Sequence, residues 1–220
     1  MKTVIITGAG GNLGKAAVSV FASAGWRVAA FVPPGKLPTS QSEGIDYFEA
    51  DLLDETATAE VVEQAIAHYG SIQAALLLVG GFEAGSVAAT DSAALRRMFA
   101  LNVETAYHAA RPLFQQMQQQ PEGGRLVFVG ARPALDAGAG KNLVAYGLSK
   151  SQLFKLAEYL NAASDRVKSQ VVVFSALDTP ENRASMPKAD RTRWVTPERV
   201  AGEIASAIGS PASGLVIEVG

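Results

Sequence analysis

Tyr146 and Lys150 stand four residues apart in Ala145-Tyr146-Gly147-Leu148-Ser149-Lys150, at the head of a run with helical spacing. Side chains at i and i+4 share one helix face, so both can reach one cavity. A free phenol titrates near pH 10 and is a poor acid–base group at neutral pH. An adjacent ammonium favours the phenolate and brings the phenol closer to working range. Taken alone, the pair reads better as a packed tyrosine beside a solvated lysine. Its surroundings decide.

The second chemical feature is Thr7-Gly8-Ala9-Gly10-Gly11-Asn12-Leu13-Gly14, which follows the first apolar β-branched run and opens a helical pattern. Strand, glycine turn and helix in that order form a cradle for a pyrophosphate. The glycines permit close backbone approach, and the helix N-terminus offers free N–H groups with partial positive charge. Asn102 is the polar interruption in an apolar stripe of Leu95, Met98, Phe99, Ala106, Ala109 and Leu113. A buried amide must find partners. One role open to it is a structural bond to backbone.

The elements that must position these groups follow a regular cadence. Apolar runs at Thr3–Thr7, Arg27–Val32, Asp46–Ala50, Ala74–Val79, Arg125–Val129, Gln170–Phe174 and Leu215–Val219 are nearly continuous, as expected of strands covered on both faces. Between them, helical patterns span Leu13 to Ala24, ended by Gly25, and residues 56–68, 91–118, 146–164 and 197–208. Alternating strand and helix predicts an α/β fold: one doubly wound, Rossmann-type parallel sheet of about seven strands with helices on both faces, as a single domain over residues 1–220. Pro33–Gly44 is the most loop-like stretch.

Bulk properties narrow the partners. The chain has 220 residues, 48% hydrophobic and 18% charged, with net charge −2 and no cysteine. No basic run marks a nucleic-acid or anionic membrane surface. The opening apolar stretch, MKTVIITGAGG, is too short for a membrane span or a signal peptide. A cytoplasmic protein acting on a small molecule is the expectation, without nucleic acid, membrane or metal.

TGAGGNLG together with Tyr146-x-x-x-Lys150 resembles the short-chain dehydrogenase/reductase family over essentially the whole chain. Gly8, Gly11 and Gly14 match the TGxxGxxG variant of the family turn, with Asn12 where the commoner spacing has glycine. The resemblance implies an NAD(P)-dependent oxidoreductase and a homo-oligomer, a dimer or tetramer, with the helices at 91–118 and 146–164 pairing across the interface. It implies that Gly8, Gly10, Gly11, Asn12, Leu13, Gly14, Asp51, Leu52, Gly80, Gly81 and Thr179 hold the cofactor together with Lys150 and Tyr146. It also implies a catalytic role for Tyr146, Lys150 and Asn102, with Asn102 anchoring a water beside the lysine as the equal alternative to its structural bond. Asp51-Leu52 resembles the family's adenine-contacting pair, although Asp51 reads equally as a helix cap. Val79-Gly80-Gly81-Phe82 replaces the family's Asn-Asn-Ala-Gly. Strand two ends Ala30-Phe31-Val32-Pro33-Pro34 without an acid to select NAD; Lys36, close in sequence, reads as a solvated loop lysine, and the reading leans slightly to NADP over NAD because nothing acidic would repel the phosphate.

The family's carbonyl-polarising serine is missing: Val129 to Ala145 contains no serine or threonine. The dihydropteridine reductase branch also lacks it. Leu177-Asp178-Thr179-Pro180-Glu181-Asn182-Arg183, Trp194 and Thr196-Pro197 are similar to that branch, as is Gly130-Ala131-Arg132-Pro133-Ala134-Leu135-Asp136. This likeness implies reduction of a quinonoid dihydropterin, with Phe82, Ala131 and Trp194 beside the substrate and residues 178–198 as a loop or lid. The alternatives are a reductase of another carbonyl or quinone compound, or a non-catalytic NAD(P)-binding sensor.

Overall fold

The computed structural model describes residues 1–39, 42–211 and 214–220. Seven strands, β1 Thr3–Thr7, β2 Arg27–Val32, β3 Ile45–Glu49, β4 Ala74–Leu77, β5 Gly124–Val129, β6 Val167–Phe174 and β7 Val216–Val219, form one sheet in the order β3-β2-β1-β4-β5-β6-β7. Every pairing is parallel. The order reverses between β1 and β4, and such a switch point opens a crevice at the carboxyl ends of the strands.

Alternate residues of each strand feed two cores, which is why the strands read as unbroken apolar runs. On one face Val4, Ile6, Val28 and Val172 pack with Phe21 of α1 (Asn12–Ser23) and Ile204 of α8 (Pro197–Gly209). On the other, Ile5, Phe31, Leu126 and Val171 meet helices α2 (Glu55–Tyr69), α4 (Thr105–Gln119) and α6 (Val144–Ala163) through Val62, Leu113 and Leu153. Asp54 caps α2, Asp91 caps α3 (Ser92–Phe99) and Thr196 caps α8, each accepting an orphan backbone N–H. The N-terminus of α1 has no side-chain cap and no acid in its first turn.

The expected doubly wound sheet is present, and the departures are local. The helix anticipated over 91–118 is α3 and α4 joined through a π-helical turn at Ala100–Glu104. Strand β4 stops at Leu77 rather than Val79, because the Leu78 N–H turns to Thr7 Oγ1 at 3.0 Å. Residues 130–143 contain a 3₁₀ turn at Arg132–Ala134 and a single helical turn, α5, at Ala137–Gly140. The 178–198 segment opens with a short helix, α7, at Pro180–Ser185. Between β2 and β3 the chain turns at Pro33–Lys36, with Gly35 at φ +72°.

Candidate active site

Glycine is obligatory at two positions of the first βα turn. Gly8 has φ +67°, and a Cβ on Gly14 would lie 2.1 Å from the Gly8 carbonyl oxygen. Without that Cβ, α1 packs directly on the turn. A Cβ at Gly10 would meet nothing, so this side of the turn is open. The helical ladder begins with the Lys15 N–H on the Gly11 carbonyl at 2.9 Å, leaving the Asn12, Leu13 and Gly14 amides ahead of it. Three forward amides on an uncapped helix, with no acid of its own in its first turn, are donors that an anion could take. Only the backbone of Leu13 contributes to it, since that side chain is in the core.

Beside the turn lies a cavity of about 170 Å³, lined mainly by apolar groups including Phe31, Pro33, Ala50, Leu52 and Leu101, with Thr105. Gly8 forms one edge and Asp51 another. The carboxylate of Asp51 accepts the Leu53 N–H at 3.1 Å, so it braces its own turn, while the cap of α2 is Asp54. His108 of α4 reaches the Leu52 carbonyl at 3.0 Å. An apolar cavity next to such a turn could hold a dinucleotide's base and pyrophosphate. At the end of β2, Glu49 of the neighbouring strand accepts the Gly35 N–H. A carboxylate therefore does stand there, supplied by β3 rather than by β2.

Across the switch point, α6 presents Tyr146 and Lys150. Lys150 is 4% exposed, and its ammonium donates to the Val129 carbonyl at the end of β5, 2.9 Å away. Burial lowers the Lys150 pKa to about 8 and raises that of the Tyr146 hydroxyl to about 12. The sequence led us to expect an ammonium that draws the phenol downward. Instead, with the Lys150 nitrogen 5.9 Å from the Tyr146 ring centre, desolvation dominates and the phenol stays protonated.

Asn102 sits in the π turn, fully buried, and answers the open question of its partners. Its Oδ1 accepts the Gly81 N–H at 2.9 Å, and its Nδ2 donates to the Gly81 carbonyl at 3.1 Å and to Ser149 Oγ at 2.9 Å. Ser149 in turn donates to the Tyr146 carbonyl at 2.8 Å. One amide thus ties the loop after β4 to the helix carrying Tyr146 and Lys150. The glycine pair is explained by this packing: a Cβ on Gly80 would lie 2.5 Å from Asn102 Oδ1 and 3.0 Å from the Lys150 nitrogen, and one on Gly81 would strike Leu101.

Phe82, 66% exposed, stands edge-on to Tyr146 with ring centres 5.0 Å apart. Ala131 is buried directly after β5 and starts the 3₁₀ turn. Thr179 is buried as the cap of α7, its hydroxyl accepting the Asn182 N–H at 3.2 Å. Glu181 on α7 meets Asn12 Nδ2 at 3.0 Å, linking the 178–198 segment to the glycine turn. Trp194 is half-buried beneath the Arg191 guanidinium, and its recorded contact is there rather than with Tyr146. Thr7, Glu181 and Ser149 stand within stretches quoted from the sequence but were given no role there, and Leu101, Thr105 and Glu49 had no local signal.

Residues 2–189 match the family model for short chain dehydrogenase. The chain is 28% identical over 225 residues to the cyclic-di-GMP-binding biofilm dispersal mediator protein of Escherichia coli (strain K12), covering 96% of this chain and 91% of that one. It is 27% identical over 197 residues to 2,3-dihydro-2,3-dihydroxybenzoate dehydrogenase of the same organism, covering 89% and 74%. Among solved structures, ElxO with NADP bound superposes with a TM-score of 0.84 at 18% identity, over 99% of this chain and 97% of that one. Neither curated relative is a dihydropteridine reductase, so the likeness to that branch rests on the residues quoted for it.

Proposed function

This chain belongs to the short chain dehydrogenase family, and from that premise we propose that it reduces an electron-poor conjugated ring, of which a quinonoid dihydropterin is the type. The enzyme class is that of an NAD(P)-dependent oxidoreductase. A reduced nicotinamide dinucleotide supplies the hydride when bound. The residues fit it: the Asn12, Leu13 and Gly14 amides receive the pyrophosphate, the Phe31–Leu52 cavity receives the adenine, and Lys150 orients the ribose. Tyr146, held protonated by burial, donates a proton or hydrogen bond to the acceptor.

The observation that carries this reading is the pairing of a neutral Tyr146 with the exposed Phe82 ring, beside a post-β5 segment without a hydroxyl. A ketone builds charge on oxygen during reduction, and losing a polarising donor costs about 10²–10³-fold in rate. A conjugated ring delocalises that charge and presents a face to Phe82. We measure NAD(P)H oxidation with quinonoid dihydropterin, quinones and simple ketones. Turnover of conjugated acceptors well above ketones is the expected result, and a preference for ketones overturns it.

For the cofactor we propose NADP over NAD. Strand β2 contributes no acid and Lys36 lies on the following turn; Glu49 opposes this preference. The ratio of kcat/KM for the two coenzymes decides. We further propose a cytoplasmic homo-oligomer. No helix among the described residues is long and apolar enough to cross a membrane. A sensor role is the second reading, favoured by the missing hydroxyl and by the relative named for cyclic-di-GMP binding. Absence of turnover with every acceptor, alongside tight cofactor binding, selects it.

A further inference from the structure

At the opposite end of the sheet from the glycine turn, Lys2, Arg125, Arg166 and Lys168 line one pocket of about 200 Å³ together with Trp26 and a single carboxylate, Glu122. The strands create this convergence. Arg125 and Lys168 are register partners at the starts of β5 and β6, on the face shared with α8. Lys2 precedes β1 and lies 5.4 Å from the centre of the Trp26 ring. Arg166, just before β6, donates to the Gln120 carbonyl at 3.2 Å, which places it over the 120–124 turn.

Among the described residues, none of the four cations belongs to an ion pair. The pairs present are His68–Asp46, Arg97–Glu83, Arg111–Glu55, Lys155–Glu158 and Arg183–Asp178. Arg125 is the most constrained. Its Nη2 donates to the Ser210 carbonyl at 3.0 Å, while its Nη1 is buried without an acceptor. Half-buried guanidinium groups are ordinarily paired, and four cations facing one carboxylate repel one another until an anion joins them. The pocket has room for a phosphate group with a small substituent. We propose that this pocket is a binding site for a phosphate-type oxyanion, free or as a monoester of a small molecule, with Arg125 and Lys168 as its principal ligands.

Trp26 lines the pocket and is one of only two tryptophans in the chain. A Trp194→Phe background therefore makes its fluorescence a direct reporter. Inorganic phosphate, a hexose monophosphate and chloride are titrated at constant ionic strength. Saturable change with phosphate or the monoester, and none with chloride, is the expected result. In that background Arg125→Gln/Lys168→Gln raises the dissociation constant by about tenfold or more, as removing charge-assisted hydrogen bonds should. The more exposed Arg166→Gln gives a smaller rise in the same direction and covers the case in which the double variant does not fold. Tighter binding of the monoester identifies it as the source, and equal binding identifies the free anion. A linear response shared with chloride, or saturation unchanged in the Gln variants, overturns the proposal. Because the pocket lies away from Tyr146, neither result depends on the acceptor the enzyme reduces.

Discussion

Lys150 is a charged side chain that the fold buries almost completely, against one carbonyl and without a carboxylate partner. Its folded pKa of about 8 against an ordinary 10.5 expresses that cost. Below pH 8 the lysine is charged in both folded and unfolded chains, and the full penalty applies. Between about 8 and 10.5 the unfolded chain holds the proton that the folded one has lost, so stability rises with pH across that window. Lys150→Met should therefore unfold at higher urea than wild type at pH 7, by on the order of 1 kcal/mol, with the gain shrinking towards pH 10 while activity is lost. A Met variant less stable at pH 7 would contradict this. Tyr146 and Lys150 were legible because i,i+4 spacing fixes a shared face. The direction of the tyrosine shift was not, because it depends on how much water surrounds the hydroxyl, which spacing does not encode. Asn102 was legible as a buried amide, but its partner Gly81 is joined to it only by tertiary packing.

At the scale of elements, the glycine turn and the π turn set the site, and they differed in how openly the sequence showed them. Gly14 follows a strand and opens an amphipathic helix, so its role shows in the pattern. The π turn adds one residue to a long 3.6-residue periodicity, too small a phase change to see against the apolar stripe. The helix α7 has six residues and too little periodicity to register. Gly14→Ala tests the turn. With the new Cβ 2.1 Å from a carbonyl oxygen, the backbone must shift. Expected are a loss of about 1–3 kcal/mol in stability and a large rise in the cofactor dissociation constant, read by thermal melts and nucleotide fluorescence. Wild-type affinity in a folded Gly14→Ala protein would remove the turn from the binding site.

At the scale of the whole molecule, the doubly wound parallel sheet was legible from the cadence alone, while the strand order was not, since right-handed crossovers allow more than one. Nor was the convergence of distant segments. Glu49 reaches the turn after β2, and Lys2 meets Arg125 and Lys168, only because parallel register aligns the ends of separate strands. The surface carries a further consequence. Leu95 and Phe99 of α3 and Leu148 of α6 expose apolar side chains around one groove, which fits the helix-paired oligomer we propose. Leu148→Glu should shift sedimentation from oligomer to monomer, and a wild-type chain that sediments as a monomer at micromolar concentration would contradict that assembly. The account as a whole turns on Tyr146 as the proton donor of a hydride-transfer site, and one comparison tests it most directly. Steady-state NAD(P)H oxidation with the best acceptor is measured for wild type and Tyr146→Phe, alongside the cofactor dissociation constant of each. The account predicts kcat lower by about 10²–10⁴-fold with cofactor affinity unchanged, whereas a phenylalanine variant turning over at the wild-type rate would contradict it.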